Sequence, residues 1–299
     1  MEAPLTTAPV QEDWTGEDVS IAQIERQLAR LRSASAEDVA LPTLRTSVMT
    51  HCAWVPPEWL DAAESTLAGM AERHPSRTVI LVPKPDEHDG LDAVVSVRCF
   101  PFGDSQVCSE VVELVLRGNR ASAPASLVLP LLISDLPVFC RWRGEPEWDG
   151  VEFPQLVDVA DRLIVDSTEW DDLPRAYARL TSFFERTAVS DIAWARTQRW
   201  RALLASLWPD IARAQSMRVH GTRAQGYLLA GWLRSRLGDD IALEIEQRER
   251  LEGIDLDGEP TPFPPGDPPH PSDVLSEELD QISRDRIYEE AVSAAAAIS

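Results

Sequence analysis

Between residues 44 and 167, short β-branched or apolar runs take turns with segments whose apolar residues recur at helical spacing. That alternation constrains the chain more than any other feature, because it selects an α/β architecture built around a mixed sheet. A strand is predicted over 44–55, stopped by Pro56-Pro57. A helix over 58–73 follows, with Leu60, Ala63, Leu67 and Met70 on one side, and Pro75 cannot continue it. Strands are predicted over 78–82, 138–142 and 160–165, and a hairpin over 93–100 and 107–116 with Gly103 in its turn. The run 126–134 is helical at its start and is broken by Asp135-Leu136-Pro137.

Ahead of this region, residues 1–16 are expected to be disordered. Ile21, Ile24, Leu28 and Leu31 then mark an amphipathic helix over 17–33, with Thr15 and Asp18 at capping spacing. Past Asp166 the character changes. Helices are expected over 172–187, 191–208, 223–237 and 275–297, with short strands over 217–219 and 241–247. Residues 260–271 hold seven prolines in twelve positions and are expected to lack regular structure. The predicted organisation is a mixed-sheet α/β domain over 17–168 and a mainly helical α/β domain over 169–299.

Charge removes several classes of function. The 299 residues carry 28 basic against 50 acidic side chains, a net charge of −22, which opposes general nucleic-acid binding and adhesion to anionic membrane. Residues 239–299 hold 17 acids and 4 arginines, so more than half of the excess lies in the last fifth. Such a segment is a solvated surface or an electrostatic docking face. No apolar run reaches the ~18 residues of a membrane helix. Met1-Glu2-Ala3-Pro4 lacks the basic start and apolar core of a secretory signal, so a cytoplasmic location is expected. Arginine outnumbers lysine 27 to one, Lys84 alone; codon bias accounts for that without any phosphate-binding meaning.

Catalytic and cofactor fingerprints are missing. There is no G-x-G-x-x-G, no G-x-x-x-x-G-K-[ST], no G-x-S-x-G and no H-x-x-x-H, so no cofactor or metal is assigned. Cys52, Cys99, Cys108 and Cys140 include no C-x-x-C. Cys52, Cys99 and Cys140 sit in strand-like runs, Cys108 is the most accessible, and thiol control is expected to be weak. Were the fold to create a pair, Cys99 with Cys108 would be the first suspect.

Three local constellations remain as phosphate or ligand candidates. Arg73 and Arg77 flank a helix end, where the local reading is favourable pairing of cations with the helix C-terminus. Asp166 closes a strand, either as a ligand group or as the cap of the next turn. His220 precedes Gly221-Thr222 at a helix start, where an anion could bind; an ordinary Thr222 N-cap is the plainer reading. Trp148 and Trp170 each stand between acidic neighbours and are partner-contact candidates. Arg73, Arg77, Asp166 and His220 could alternatively belong to a sugar-phosphate isomerase or a lactonase.

An ordered set of short motifs goes further. Arg73-His74-Pro75-Ser76-Arg77 leads into Val79-Ile80, and Cys108-Ser109-Glu110 into 111–116. Then come Pro130-Leu131-Leu132, Asp135-Leu136-Pro137-Val138, Arg141-Trp142, Asp161-Arg162-x-Ile164-Val165-Asp166-Ser167, and Ala230-Gly231-Trp232-Leu233 with Leu237-Gly238. Glu277-Glu278-Leu279 and Ile287-Tyr288 follow near the end. From about residue 17 onward this set resembles the glucose-6-phosphate dehydrogenase assembly protein family (OpcA) of actinobacteria and cyanobacteria. The Arg-rich, Lys-poor composition suits an actinobacterial source. The resemblance implies a cytoplasmic, non-catalytic subunit whose partner is glucose-6-phosphate dehydrogenase. Such a subunit would assemble and allosterically activate the enzyme, and so govern NADPH supply through the oxidative pentose phosphate pathway. It supplies no catalytic residues.

Overall fold

A computed structural model describes residues 10–37, 43–44, 47–68, 76–102, 105–238, 241–266 and 269–298. They form a mixed α/β protein divided into two compact units. The first comprises residues 1–143 and 149–161, the second residues 144–148 and 162–299.

The first unit opens with strand β1, Val10–Gly16, and helix α1, Ile21–Glu37. Strands β2, Thr43–Leu44, and β3, Thr50–Trp54, lead to helix α2, Leu60–Ala68. Strands β4, Arg77–Lys84, β5, Gly90–Phe102, and β6, Ser105–Arg117, come next. Helix α3, Pro124–Val128, strand β7, Val138–Trp142, and helix α4, Glu152–Val159, complete the unit. Its strand order is β1-β5-β6-β4-β3-β7, with β2 also against β6. The β1–β5 and β5–β6 pairs are antiparallel, and the β6–β4, β4–β3 and β3–β7 pairs are parallel.

Central β4 is buried from Thr78 to Val82, the continuous apolar run expected of a strand covered on both faces. Helix α2 sets Ala63 against Ala53, Val55, Ile80 and Val82. Paired across β3 and β7, Trp54 and Trp142 stack at 4.8 Å, and Phe153 of α4 meets Trp142 edge-on at 5.0 Å. The α1 stripe buries Ile24, Leu28 and Leu31, while its start lies later than its sequence suggests. The Ser20 Oγ accepts from Gln23 N, and Gln23 Oε1 accepts from Ser20 N, a reciprocal cap. Thr15 belongs to β1, and Asp18 pairs with Arg117 at 2.6 Å.

Two further expectations are corrected in this unit. Of residues 1–16, expected to be disordered, 10–16 pair along β5 and satisfy the edge of the hairpin, while 1–9 lie outside the described residues. The cysteines also do not stay separate. Cys99 and Cys108 face each other in the β5–β6 register and form a disulfide, while Cys52 and Cys140, likewise in register, are free and buried. Reducing the disulfide, or replacing both cysteines with serine, should lower unfolding free energy by about 2–3 kcal/mol, the entropy of a short closed loop. Urea melts with and without dithiothreitol check this, and coincident midpoints would refute it.

The second unit holds strand β8, Arg162–Val165, helix α5, Arg175–Leu180, and strand β9, Ala188–Asp191, with β8 and β9 parallel. Helices α6, Ile192–Arg196, and α7, Gln198–Ser206, precede strand β10, Ser216–Gly221, and helix α8, Arg223–Leu237. Strands β11, Ala242–Gln247, β12, Gly253–Leu256, and β13, Glu259–Pro260, form with β10 a four-stranded sheet of order β11-β10-β12-β13. Its inner face joins Met217, Val219 and Ile254 to Leu229 and Leu233 of α8 and to Trp200 and Leu204 of α7.

Helices α9, Pro271–Leu279, and α10, Arg286–Ala295, replace the single helix expected over 275–297. Buried Arg162 explains the break. Its Nε donates to the Gln281 carbonyl at 2.7 Å, and its Nη2 donates to the Ser283 carbonyl. Asp285 then caps α10 by accepting from the amides of Ile287 and Tyr288. Gly231 lets α10 approach α8 closely, since a Cβ there would lie 2.7 Å from the Ala295 nitrogen.

Candidate functional site

Asp166 and Ser167 leave the carboxyl end of β8, and Asp191 ends its parallel neighbour β9, so strand geometry gathers them. Asp166 Oδ1 accepts from the Thr168 amide at 3.2 Å and hydroxyl at 2.6 Å, and Oδ2 pairs with Arg196 at 3.1 Å. Turn capping is therefore the role its geometry displays. Asp191 Oδ1 accepts from the amides of Ser167, 3.1 Å, and Ala193, 2.8 Å. Its Oδ2 accepts from Ser167 Oγ at 2.6 Å and more distantly from the Tyr288 hydroxyl at 3.4 Å. The Tyr177 hydroxyl lies 2.9 Å from Ser167 Oγ, which can accept its proton while donating its own to Asp191.

Burial pushes the Asp191 carboxyl up to about 7, assisted by the Asp166 carboxylate and partly offset by hydrogen bonds from Ser167 and Ala193. Burial, and next the Asp191 charge, pushes the Tyr177 and Tyr288 hydroxyls well above the ordinary tyrosine range. This arrangement stores a proton near neutrality. Its polar atoms are directed at one another, and Ser167, Asp191, Tyr177 and Tyr288 are all buried.

The structure also brings Trp148 and Trp170 together, edge to face at 5.5 Å. A single carboxylate organises their loops. Glu145 accepts from Trp148 Nε1 at 3.1 Å and, through its other oxygen, from the amides of Asp171 and Asp172. Arg223, opening α8, donates to the carbonyls of Asp171 and Leu173. Trp170 is only 4% exposed; its Nε1 donates to the Gly144 carbonyl and its ring also meets Tyr177. The contact expectation for Trp170 is thus corrected: the acidic flanks hide a core residue. Trp148, half-buried, keeps the outer position.

The other candidates stand apart. His220 lies on the sheet, with Nδ1 2.8 Å from Glu246 and Nε2 3.0 Å from Asp255. The α8 start is closed by a capping box between Thr222 and Gln225, which takes the donors an anion would use. In the first unit, Arg77 donates to Glu110 at 2.7 Å and to the Leu131 carbonyl, and Glu110 also holds Arg32. Arg73 lies outside the described residues. Among the described residues, no group of three or more His, Cys, Asp and Glu is placed to hold a metal ion.

Sequence reasoning missed β9, and with it Asp191. The signal was present: β-branched Thr187 and Val189 precede an Asp in N-cap position before an apolar helix start. It also missed a cleft of about 790 Å³ in the second unit, lined by Phe184, Glu185, Arg284, Arg286 and Glu289 among others. Arg284 there is bonded to Glu289 at 2.7 Å and to Glu185 at 3.4 Å.

Comparison with known proteins adds what geometry leaves open. The model of the glucose-6-phosphate dehydrogenase subunit N-terminal domain matches residues 68–182, and that of the corresponding C-terminal domain matches residues 187–262. A Nostoc punctiforme protein named OxPP cycle protein OpcA is 28% identical over 182 residues, covering 56% of this chain and 39% of its own length. A Synechococcus elongatus protein of the same name is 29% identical over 184 residues, covering 56% of this chain and 41% of its own length. The Synechocystis counterpart is 24% identical over 181 residues, covering 56% and 38%. The matched chain spans about two fifths of each of these relatives.

Proposed function

The chain belongs to the glucose-6-phosphate dehydrogenase subunit family, and from that premise we propose that it is a non-catalytic partner of this dehydrogenase. It binds the enzyme in the cytoplasm, favours its assembled form and raises its activity, serving the oxidative pentose phosphate pathway. What carries the reading is the paired match of N-terminal and C-terminal family domains over most of the chain. Arg77, Asp166 and His220 are each held by a side chain of this same chain, Glu110, Arg196 and Glu246 respectively.

A subunit of this kind acts through differential affinity for two states of its partner. If it prefers the assembled dehydrogenase, substrate that stabilises the same state tightens its binding by the same factor. A tenfold effect corresponds to ~1.4 kcal/mol of coupling. The net charge of −22 adds long-range attraction to a basic face, so association slows as salt rises.

The test is binding to the dehydrogenase of the same organism, with and without glucose 6-phosphate, at two salt concentrations, alongside dehydrogenase turnover. The expected result is tighter binding with substrate, slower association at high salt and a several-fold rise in turnover. Equal affinity with and without substrate, combined with intact activation, would defeat the population-shift account. Turnover of glucose 6-phosphate or 6-phosphogluconolactone by this chain alone would defeat the non-catalytic reading.

A further inference from the structure

After β13 the chain runs Thr261-Pro262-Phe263-Pro264-Pro265-Gly266 across the second unit. Sequence composition marks this stretch as irregular, but the structure ties it down at both ends. The Thr261 amide and hydroxyl both donate to the Ile254 carbonyl at 2.9 Å, fixing the strap to β12. At the other end the guanidinium of Arg199 on α7 donates to the carbonyls of Pro264, 3.0 Å, and Pro265, 3.1 Å, and also to that of Gly266. Proline fixes its own φ and restricts the residue before it, so Phe263 has little backbone freedom left.

Between these anchors Phe263 is 76% exposed. One edge of its ring meets buried Trp200 at 6.0 Å, and the remainder faces solvent. Holding a large apolar side chain in water on a rigid mount opposes folding economy, because burial would stabilise it by about 1.5–3 kcal/mol. The same arrangement favours binding, since little ordering entropy is lost when the ring is covered.

We propose that Phe263 is the anchor of a protein interface, seated in an apolar socket of the dehydrogenase whose rim carries arginine or lysine. The proposal rests on the partner reading above. Charge selects this occupant over a second copy of the chain. Exposed Asp257 and Glu259 lie just before the strap, and the chain as a whole carries a net charge of −22. Two copies of so acidic a chain repel each other, whereas a basic rim complements Asp257 and Glu259. Aromatic anchors in well-packed sockets dominate interface energetics and act chiefly on dissociation.

The experiment compares the full chain with Phe263→Ala, Phe263→Trp and Arg199→Gln, measuring association and dissociation with the purified dehydrogenase. Phe263→Ala should speed dissociation roughly 30-fold, the scale of an interface hot spot, with association nearly unchanged. Phe263→Trp should recover most of the affinity, and Arg199→Gln should weaken binding several-fold by releasing the mount while keeping the ring. Thermal melts should place Phe263→Ala at the wild-type midpoint, because an exposed side chain contributes little to folding. Binding by the wild type together with unchanged dissociation of Phe263→Ala overturns this inference and leaves the partner reading intact. Failure of the wild type to bind overturns the partner reading. A wild-type dimer in sedimentation that Phe263→Ala dissociates would assign the ring to self-association and overturn the proposal.

Discussion

Asp191→Asn should remove a loss of stability that the wild type suffers as pH rises from 5 to 8. The folded carboxyl titrates at about 7, against an ordinary value of 3.8. A raised acid holds its proton in the folded state where the unfolded chain has released it, so stability falls with rising pH across that window. It is greatest below about 4 and levels off above about 7. Between pH 5 and 8 the fall amounts to about 2.5 kcal/mol, at ~1.4 kcal/mol per unit.

The amide can replace the carboxylate at the expense of one donor, the buried Tyr288 hydroxyl, which lies 3.4 Å from Oδ2 and loses its acceptor. Its oxygen keeps the Ser167 and Ala193 amides, and its nitrogen donates to Ser167 Oγ. The Ser167 proton then turns to Tyr177, whose hydroxyl already lies 3.4 Å from the Ala224 carbonyl. Urea melts of both proteins at pH 5, 6.5 and 8 decide the matter, with the difference between them cancelling every other titrating group. Parallel curves would show that Asp191 does not hold its proton near neutrality.

Arg162→Met should cost more, about 3–5 kcal/mol at pH 7, because it removes a buried cation that serves the buried Ser190 hydroxyl and two part-buried carbonyls. The side chain is 1% exposed and serves Gln281, Ser283 and, through Nη1 at 2.6 Å, the Ser190 hydroxyl. Burial lowers the guanidinium's affinity for its proton, and nearby Glu278 and Asp285 restore part of it. Glu278 is raised by burial and held back by Ser190 and Arg162, so removing the arginine pushes it further up. Arg162→Lys keeps the charge but loses the planar fork, and should recover less than half of the loss. Hydrogen exchange should show amides 280–285 opening first. A Met variant within 1 kcal/mol of the wild type would refute the assignment.

Some of this was readable in the chain and some was not. Local chemistry wrote β4, β7 and α8 plainly: β-branched runs mark the strands, Thr222 and Gln225 bracket one end of α8, and Gly238 closes the other at φ 78. Where long-range partners decide, the sequence is silent. The break between α9 and α10 depends on Arg162, more than a hundred residues earlier. Trp170 looks like a surface residue from its acidic neighbours, and only the fold of Gly144, Trp148 and Tyr177 around it makes it core. The disulfide was half visible. Cys99 and Cys108 are equidistant from the hairpin centre, a symmetry that spacing motifs do not test. Composition gives the Pro-rich strap the signature of a linker, because the pins that fix it come from Arg199 and Ile254.

The short segment Gly144–Trp148 belongs to the second unit although residues 149–161 return to the first. The chain therefore changes unit at three points, and no single breakpoint yields either unit whole. A genetic crossover that delivered residues 162–299 to a new setting would leave behind Glu145, and with it the acceptor for the Asp171 and Asp172 amides and for the indole of Trp148. Shuffling by one junction would produce a second unit with an unsealed loop, whereas inheritance of the whole gene keeps the loop closed.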